Sequence, residues 1–451
     1  MASSRGKTQS SKNDKNGKLK TKEVEFKMKP MTAIIIGAGD RGLRAYAPFA
    51  LEYPNELKII GVAEPNSERR IKFQQVHHIS NEHCYESWED VLNLDMRIAD
   101  IAIICTLDRF HFKPTMKALE LGYHVLLEKP MSPDPVECIA MEQAAKKYNR
   151  QLTICHVLRY TEFWAMIKKI ISQGEIGEVV SLQLNENVEV MHMSHSFVRG
   201  NWNNKEKSSP MILQKSCHDM DIISFVLGKD CKRVSSYGSL MHFKEENAPI
   251  GAPMQCLDGC PAELDCPFHA GKYYLGEGKG WARKFTEDHT NEGIIKALNE
   301  TPYGRCVYRS DNNVVDHQVV NMEFEGGATA TFSMCGFTRE QTRMVQIMGT
   351  KGEIRGNMAE NSISIFDFIS KHETVINFNK PIGGHGGGDK GIIRTFLREI
   401  QNGSKQDSVS SASASVRSHL MAFAAEESRL NQGQSISLDD YYHRLVENIQ
   451  L

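Results

Sequence analysis

The chain has 451 residues, with 54 lysines and arginines against 56 aspartates and glutamates, for a formal charge of −2. Hydrophobic residues make up 40% and charged residues 24%, which suits a globular chain of two domains. The near-neutral balance lacks the basic excess of a nucleic-acid binder, and no apolar run approaches the roughly 20 residues of a membrane helix.

Residues 1–30 are rich in Lys and Ser and contain no apolar stretch of a secretory signal, so they read as a disordered tail. Eleven cysteines, an odd number spread over the chain, favour reduced thiols and a cytoplasmic setting. From Met31, short apolar runs at 32–36, 57–63, 98–105, 124–127 and 152–156 alternate with amphipathic stretches at 41–52, 67–76, 111–121 and 135–148. The runs are Ile- and Val-rich and continuous rather than alternating, the pattern of parallel strands buried on both faces. Right-handed crossovers then predict an open, doubly wound α/β sheet over 31–155, with its ligand at the carboxyl ends of the strands.

The first of these runs leads into Gly37, Gly39 and Gly42 in G-x-G-x-x-G spacing, with Asp40 and Arg41 inside the turn. Between a strand and a helix this spacing predicts a dinucleotide site, because the turn brings free N–H groups up to a pyrophosphate. Glu64 ends the second run where a ribose-binding acid belongs, which favours NAD; Arg69 and Arg70 follow closely enough to keep NADP open. The next strand ends bring Thr106 and His111, then Glu128, Lys129 and Pro130, to the same crevice. A lysine at a buried strand end needs a partner, so Lys129 is expected to hydrogen-bond a ligand or a carboxylate.

Beyond residue 155 the pattern changes to strands at 181–192, 319–325, 328–334, 344–349, 353–356 and 362–368, several joined by Gly-containing turns. Alternation along 321–334 predicts a large, mostly antiparallel sheet with one wet face, covered on the other by helices at 161–172, 216–227, 389–401 and 416–431. Together these make 156–451 an α+β substrate-binding domain. The helix at 216–227 opens with His218, which titrates in the range a proton acceptor for alcohol oxidation needs, flanked by Lys215, Asp219 and Asp221. His156, Arg159, Tyr160, Asn185, Asn187, Arg199, Trp202, Asp316 and His317 are candidate lining for a polyhydroxylated ligand, with Arg159, Lys215 and His317 favoured. The glycine run 383–391 either approaches a ligand by backbone or is a plain loop. Residues 241–309 form an insert holding Cys256, Cys260, Cys266 and Cys306; its gaps are not the common C-x-x-C knuckle, so reduced, buried thiols or a redox-sensitive pair are favoured over a metal site.

GAGDRG, AEPN, CTLDRFH, EKP and KSCHDMD, taken together, resemble the glucose-fructose oxidoreductase and inositol dehydrogenase superfamily, Gfo/Idh/MocA, over roughly residues 31 to 451. The insert resembles a subset of it. The resemblance implies an N-terminal Rossmann domain, a C-terminal domain whose sheet forms the substrate site and the contact of a homo-oligomer (dimer or tetramer), and NAD(P)-dependent oxidation or reduction of a sugar, glycoside or cyclitol hydroxyl. By the same resemblance Lys129 contacts the reacting hydroxyl and His218 is the acid/base. One departure stands out: the inositol dehydrogenase type has an aspartate four residues before this histidine, and here Gln214 occupies that place. An alternative implied by some branches is an NAD-dependent glycoside hydrolase, and a third, ranked last, is a nucleotide-sensing regulator.

Overall fold

The computed structural model describes residues 29–94, 96–379, 384–403 and 410–447. The expected tail, apart from Lys29 and Pro30, and Gly383 of the glycine run lie outside the described residues. Six strands form the first sheet: β1 (Met31–Ile36), β2 (Leu57–Ala63), β3 (Cys84–Tyr85), β4 (Ile101–Ile104), β5 (His124–Leu127) and β6 (Leu152–Ile154). They lie in the order β3-β2-β1-β4-β5-β6, all parallel. Helices Ala47–Glu52, Ser67–His77, Phe112–Glu120 and Pro135–Lys147 supply the crossovers. Strand order reverses between β1 and β4, so the crevice of this doubly wound sheet opens beyond their carboxyl ends.

The second sheet has nine strands: β7 (Val179–Asn187), β8 (Cys231–Ser239), β9 (His317–Phe324), β10 (Thr329–Cys335), β11 (Thr342–Gly349), β12 (Gly352–Asn357), β13 (Ser362–Asp367), β14 (Glu373–Asn377) and β15 (Ile436–Ser437). Their order is β14-β13-β12-β11-β7-β10-β9-β8-β15, antiparallel except for the parallel pair β7 and β10. Leu182, Leu184, Val320, Phe332, Val345 and Ile347 bury one face, against helices that include Cys217–Leu227 and Ala412–Leu430, while Val319 and Met344 mark the open face. Period-2 alternation is therefore a record of one-sided burial.

Two departures from the sequence expectation have local causes. The strand expected over 181–192 stops at Asn187, because Glu189 takes a positive φ of 74° and its carboxylate accepts the N–H groups of Met191 and His192, starting a helical turn. Strand β8 escaped the pattern because Ser236 occupies a buried position; its N–H donates to Ser428 Oγ at 2.9 Å, so the polar residue is satisfied inside. Helix Gly388–Gln401 crosses back: Ile392, Ile393, Phe396 and Leu397 join the core of the first sheet with Ile35, Phe49 and Leu126. That return places the start of this helix at the crevice. Among the described residues no helix is long and apolar enough to cross a membrane.

Candidate active site

The glycine turn is built by mutual exclusion. Gly37 has φ 93°, and a Cβ there would lie 2.7 Å from the carbonyl oxygen of Cys105; a Cβ on Gly42 would lie 2.2 Å from the oxygen of Gly37 itself. A Cβ on Gly39 would meet nothing within 4 Å, so this backbone faces open space. Glu64 closes the turn from below, accepting the N–H of Ala38 at 2.7 Å and that of Asn66 at 3.0 Å. Both oxygens of the expected ribose-binding acid are thus engaged with its own chain. Arg70 is engaged too, donating to the carbonyl of Glu64 at 2.5 Å and to Glu86 at 2.9 Å.

Arg41 turns away from the glycine turn into a buried charge network. Its Nε lies 2.5 Å from Glu128 Oε1, and its Nη2 is 2.7 Å from Asp389 Oδ1 and 2.5 Å from Tyr46 Oη. Tyr46 donates in turn to Glu128 at 2.5 Å. Burial alone would raise the Glu128 carboxyl, but Arg41 and Lys129 outweigh it and hold the group below its usual range, so the carboxylate is charged. Asp389 is likewise held well down by His385 and Arg41 against its burial.

The strand-end residues divide into two kinds. His111 is fully buried, its ring spanning the carbonyl oxygens of Thr106 (3.0 Å) and Pro130 (2.7 Å), so it ties the loops after β4 and β5 together. The Thr106 hydroxyl donates to the carbonyl of Phe110 at 3.2 Å. Lys129 reaches the other way: its ammonium donates to the carbonyl of Gln214 at 2.9 Å, four residues before His218. That bond joins the end of β5 to the segment that starts the His218 helix.

His218 is buried, and its Nδ1 has no hydrogen-bond partner. Burial, then the nearby Lys129 ammonium, pushes its pKa well below 6.5, so the imidazole is neutral. It stands in a row of rings: His385 is 5.9 Å away on one side and His156 is 6.0 Å away on the other, with His419 5.5 Å beyond. His419 is fixed, accepting from the N–H of Met131 at 2.9 Å and donating to the carbonyl of Ser415 at 2.7 Å. Both nitrogens of His156 are buried without a hydrogen-bond partner.

The residues favoured as substrate ligands do not gather around His218 with free groups. Arg159 grips Asp221 with a bidentate pair, Nε to Oδ2 at 2.7 Å and Nη2 to Oδ1 at 2.6 Å, both buried. Lys215 pairs with Glu186 at 2.9 Å, and Glu186 also meets Arg343 at 2.7 Å, whose Nε holds Asp219 at 2.7 Å. Burial and the neighbouring Glu186 raise the Asp219 carboxyl even against Arg343. His317 shares the open face of the second sheet with Asn187 and Cys335, opposite the face where Glu186 meets Lys215, and its ring bonds Asp316 at 2.9 Å. Asn185 lies on that same open face. Arg199 is buried as a staple of the insert, donating to the carbonyls of Arg305 (2.7 Å) and Phe268 (2.6 Å). The alternation of a strand and the remoteness of each acidic partner explain these placements.

Sequence reasoning passed over Asp108, His385, Asp389 and His419. Asp108 is buried and accepts the hydroxyls of Ser208 and Ser209, both at 2.8 Å, fastening the β4 loop to the segment before Gln214. The glycine run acts through side chains: His385 and Asp389, four apart at a helix start, were its readable signal. The insert thiols are free, and among the described residues no group of three or more His, Cys, Asp or Glu is placed to hold a metal ion.

Comparison with known proteins agrees with this geometry. Residues 31–156 match the family described as "Oxidoreductase family, NAD-binding Rossmann fold", and residues 168–435 match "Oxidoreductase family, C-terminal alpha/beta domain". YteT of Bacillus subtilis (strain 168), named only as an oxidoreductase, is 25% identical over 375 residues, covering 78% of this chain and 84% of its own. D-glucoside 3-dehydrogenase of Escherichia coli (strain K12) is 25% identical over 152 residues, covering 33% of this chain and 41% of its own. Among solved structures, a levoglucosan dehydrogenase in complex with NADH and levoglucosan superimposes with a TM-score of 0.66 at 16% identity, over 91% of this chain and 100% of that one. An oxidoreductase from Agrobacterium radiobacter in complex with NAD+, L-tartaric acid and magnesium gives 0.65 at 13% identity, over 91% and 99%. With a glycine turn on a doubly wound sheet and both halves of the chain matched, the protein belongs to the Gfo/Idh/MocA family of NAD(P)-binding oxidoreductases.

Proposed function

We propose that the chain transfers a hydride to or from a hydroxyl-bearing carbon of a sugar, glycoside or cyclitol, with 31–155 as its nucleotide-binding half and 156–451 as its substrate half. The observation that carries this reading is the bond from Lys129 to Gln214, which sets an ammonium beside the neutral imidazole of His218 at the crevice. The residues present fit a dinucleotide: Gly39 leaves room for a close approach, and the first helix turn offers free N–H groups. Gly37, Gly39, Asp40 and Gly42 would flank the pyrophosphate, Glu64 and Thr106 the ribose and nicotinamide sides. Arg41, His111 and Glu128 support these loops from behind. The engagement of Arg70 and the carboxylate of Glu64 favour NAD over NADP.

When bound, the nicotinamide supplies the hydride acceptor. Lys129 would hold the reacting oxygen with its ammonium and stabilise charge developing there, while His218 takes the hydroxyl proton on a neutral ring. His385, partly exposed and with its ring 5.9 Å from that of His218, offers that proton a way out. The free state of all eleven cysteines supports a reducing, cytoplasmic setting. The open face of the second sheet, with Val319, Met344 and Val375 exposed, is the surface through which copies of the chain would associate.

A second reading is favoured by Gln214. Its side-chain amide donates to the carbonyl of Trp202 at 2.9 Å, so it is a structural tie and no proton relay. That changed base arrangement leaves room for an NAD-dependent glycoside hydrolase, in which oxidation of a ring hydroxyl acidifies a neighbouring C–H, elimination expels the aglycone, water adds and the hydride returns. Mixing protein and NAD with sugars, cyclitols and chromogenic glycosides separates the readings. Net NADH without aglycone supports the dehydrogenase; aglycone without net NADH supports the hydrolase; dinucleotide binding with neither supports a sensor.

A further inference from the structure

The insert makes a contact that neither the fold nor the proposed chemistry requires. Residues Glu277–Lys284 form a tight helical segment whose Ala282 and Gly278 are buried. Its Trp281 packs between His195 (4.7 Å between ring centroids) and His192 (5.1 Å), and Phe285 stacks on Tyr303 at 4.5 Å. The segment is thereby anchored to the substrate half. Its charged residues reach across to the nucleotide half. Lys284 Nζ lies 2.6 Å from Asp40 Oδ2, inside the glycine turn. Glu287 lies 3.1 Å from Lys72 and 3.7 Å from Arg44, on the two helices that follow β1 and β2.

These contacts cross the dinucleotide site from its pyrophosphate end at Asp40 to its adenosine end at the helix after β2. We propose that residues 277–287 are a strap that closes over the bound dinucleotide, and that Lys284 is a dinucleotide-retaining residue, its ammonium shared between Asp40 and the pyrophosphate. The proposal rests on the reading of this crevice as a dinucleotide site. The strap's ion pairs are solvent-exposed, and such pairs are individually weak and screened by salt. A set of weak pairs backed by a firm aromatic anchor holds a ligand in place and still opens. A cofactor retained in this way suits chemistry that returns the hydride within one active site.

The test measures release of NADH from the full-length chain by stopped-flow fluorescence, chasing with excess NAD. Lys284→Ala should speed release by about tenfold or more, the loss of a charge-assisted contact. Glu287→Lys sets like charges against Lys72 and Arg44 and should speed it by about two- to fivefold, and adding Lys72→Glu should restore most of the wild-type rate. Raising salt from low to high should speed wild-type release and leave the Lys284→Ala protein less affected. NADH bound with equal release rates in all variants would overturn the strap while the dinucleotide site stands. Faster release in Lys284→Ala alone would overturn closure and leave Lys284 as a phosphate contact. A wild-type chain that binds no dinucleotide would overturn both readings.

Discussion

The ammonium of Lys129 donates to the main-chain carbonyl of Gln214 at 2.9 Å, tying the end of β5 to the start of the helix that carries His218. The bond positions the charge of Lys129 and, with the bonds from Ser208 and Ser209 to Asp108, ties the two halves of the crevice together. Removing the ammonium by Lys129→Ala should lower kcat by about 10²- to 10⁴-fold while NAD still binds. Calorimetric NAD titration beside steady-state turnover checks it; retained turnover sinks the role.

His218 gives a prediction with a sign. Burial and Lys129 hold its pKa well below 6.5, so its neutral, proton-accepting form persists as pH falls past that value. The acidic limb of kcat/KM, which reports the free enzyme, should therefore lie below about 6.5. His218→Asn should cut kcat by about 10²-fold or more and remove that limb. A limb in the wild type at or above the ordinary histidine value contradicts the assignment.

Stability should also fall in mild acid. His156 and His419 are buried with lowered pKa values, His419 at about 3, so below the unfolded value near 6.5 the unfolded chain takes protons that the folded chain refuses. Their contribution is complete above about 6.5 and is lost as pH falls, by up to about 1.4 kcal/mol per histidine per pH unit. Urea melts from pH 7.5 to 5 measure the slope. The variant His156→Gln should flatten it; an unchanged slope would show that this ring does not refuse the proton.

Arg159 and Asp221 are a matched buried pair, so a single cut should cost more than a double one. Asp221→Asn removes the carboxylate charge that Arg159 grips with two buried hydrogen bonds and should destabilise by about 3–5 kcal/mol. Combining it with Arg159→Met should recover part of that loss, as measured by a double-mutant cycle of melts. Additive losses would instead show that the two side chains are not energetically coupled.

The three glycines of the turn should not respond alike. Gly42→Ala would place a Cβ 2.2 Å from the Gly37 oxygen, so it should lower the melting temperature and dinucleotide affinity together. Gly39→Ala meets nothing within 4 Å and should leave stability within about 0.5 kcal/mol while weakening dinucleotide binding, because the new methyl occupies the ligand's approach. Thermal melts with and without NADH separate the two; equal melts with unchanged affinity for Gly39→Ala would remove that residue from the binding surface.

Local chemistry was legible along the chain. Continuous Ile and Val runs announced parallel strands, G-x-G-x-x-G between strand and helix announced the turn, and Lys129 and His218 stood at the ends of a strand and a helix that meet at the crevice. These features depend on near neighbours in the chain, through strand period, helix spacing and the steric freedom of glycine. Partners were decided by the tertiary structure. Arg159, Lys215 and Arg199 carry the same charge in the sequence whether they meet a substrate, a buried carboxylate or a main-chain carbonyl, and their partners Asp221, Glu186 and the carbonyl of Arg305 lie in other elements. The side of the sheet on which His317 falls, the return of Asp389 to Arg41, and the reach of Lys284 to Asp40 are likewise set by how elements pack. A side chain's type fixes what it can bind; only the folded chain, by bringing distant groups within about 3 Å, decides what it does bind.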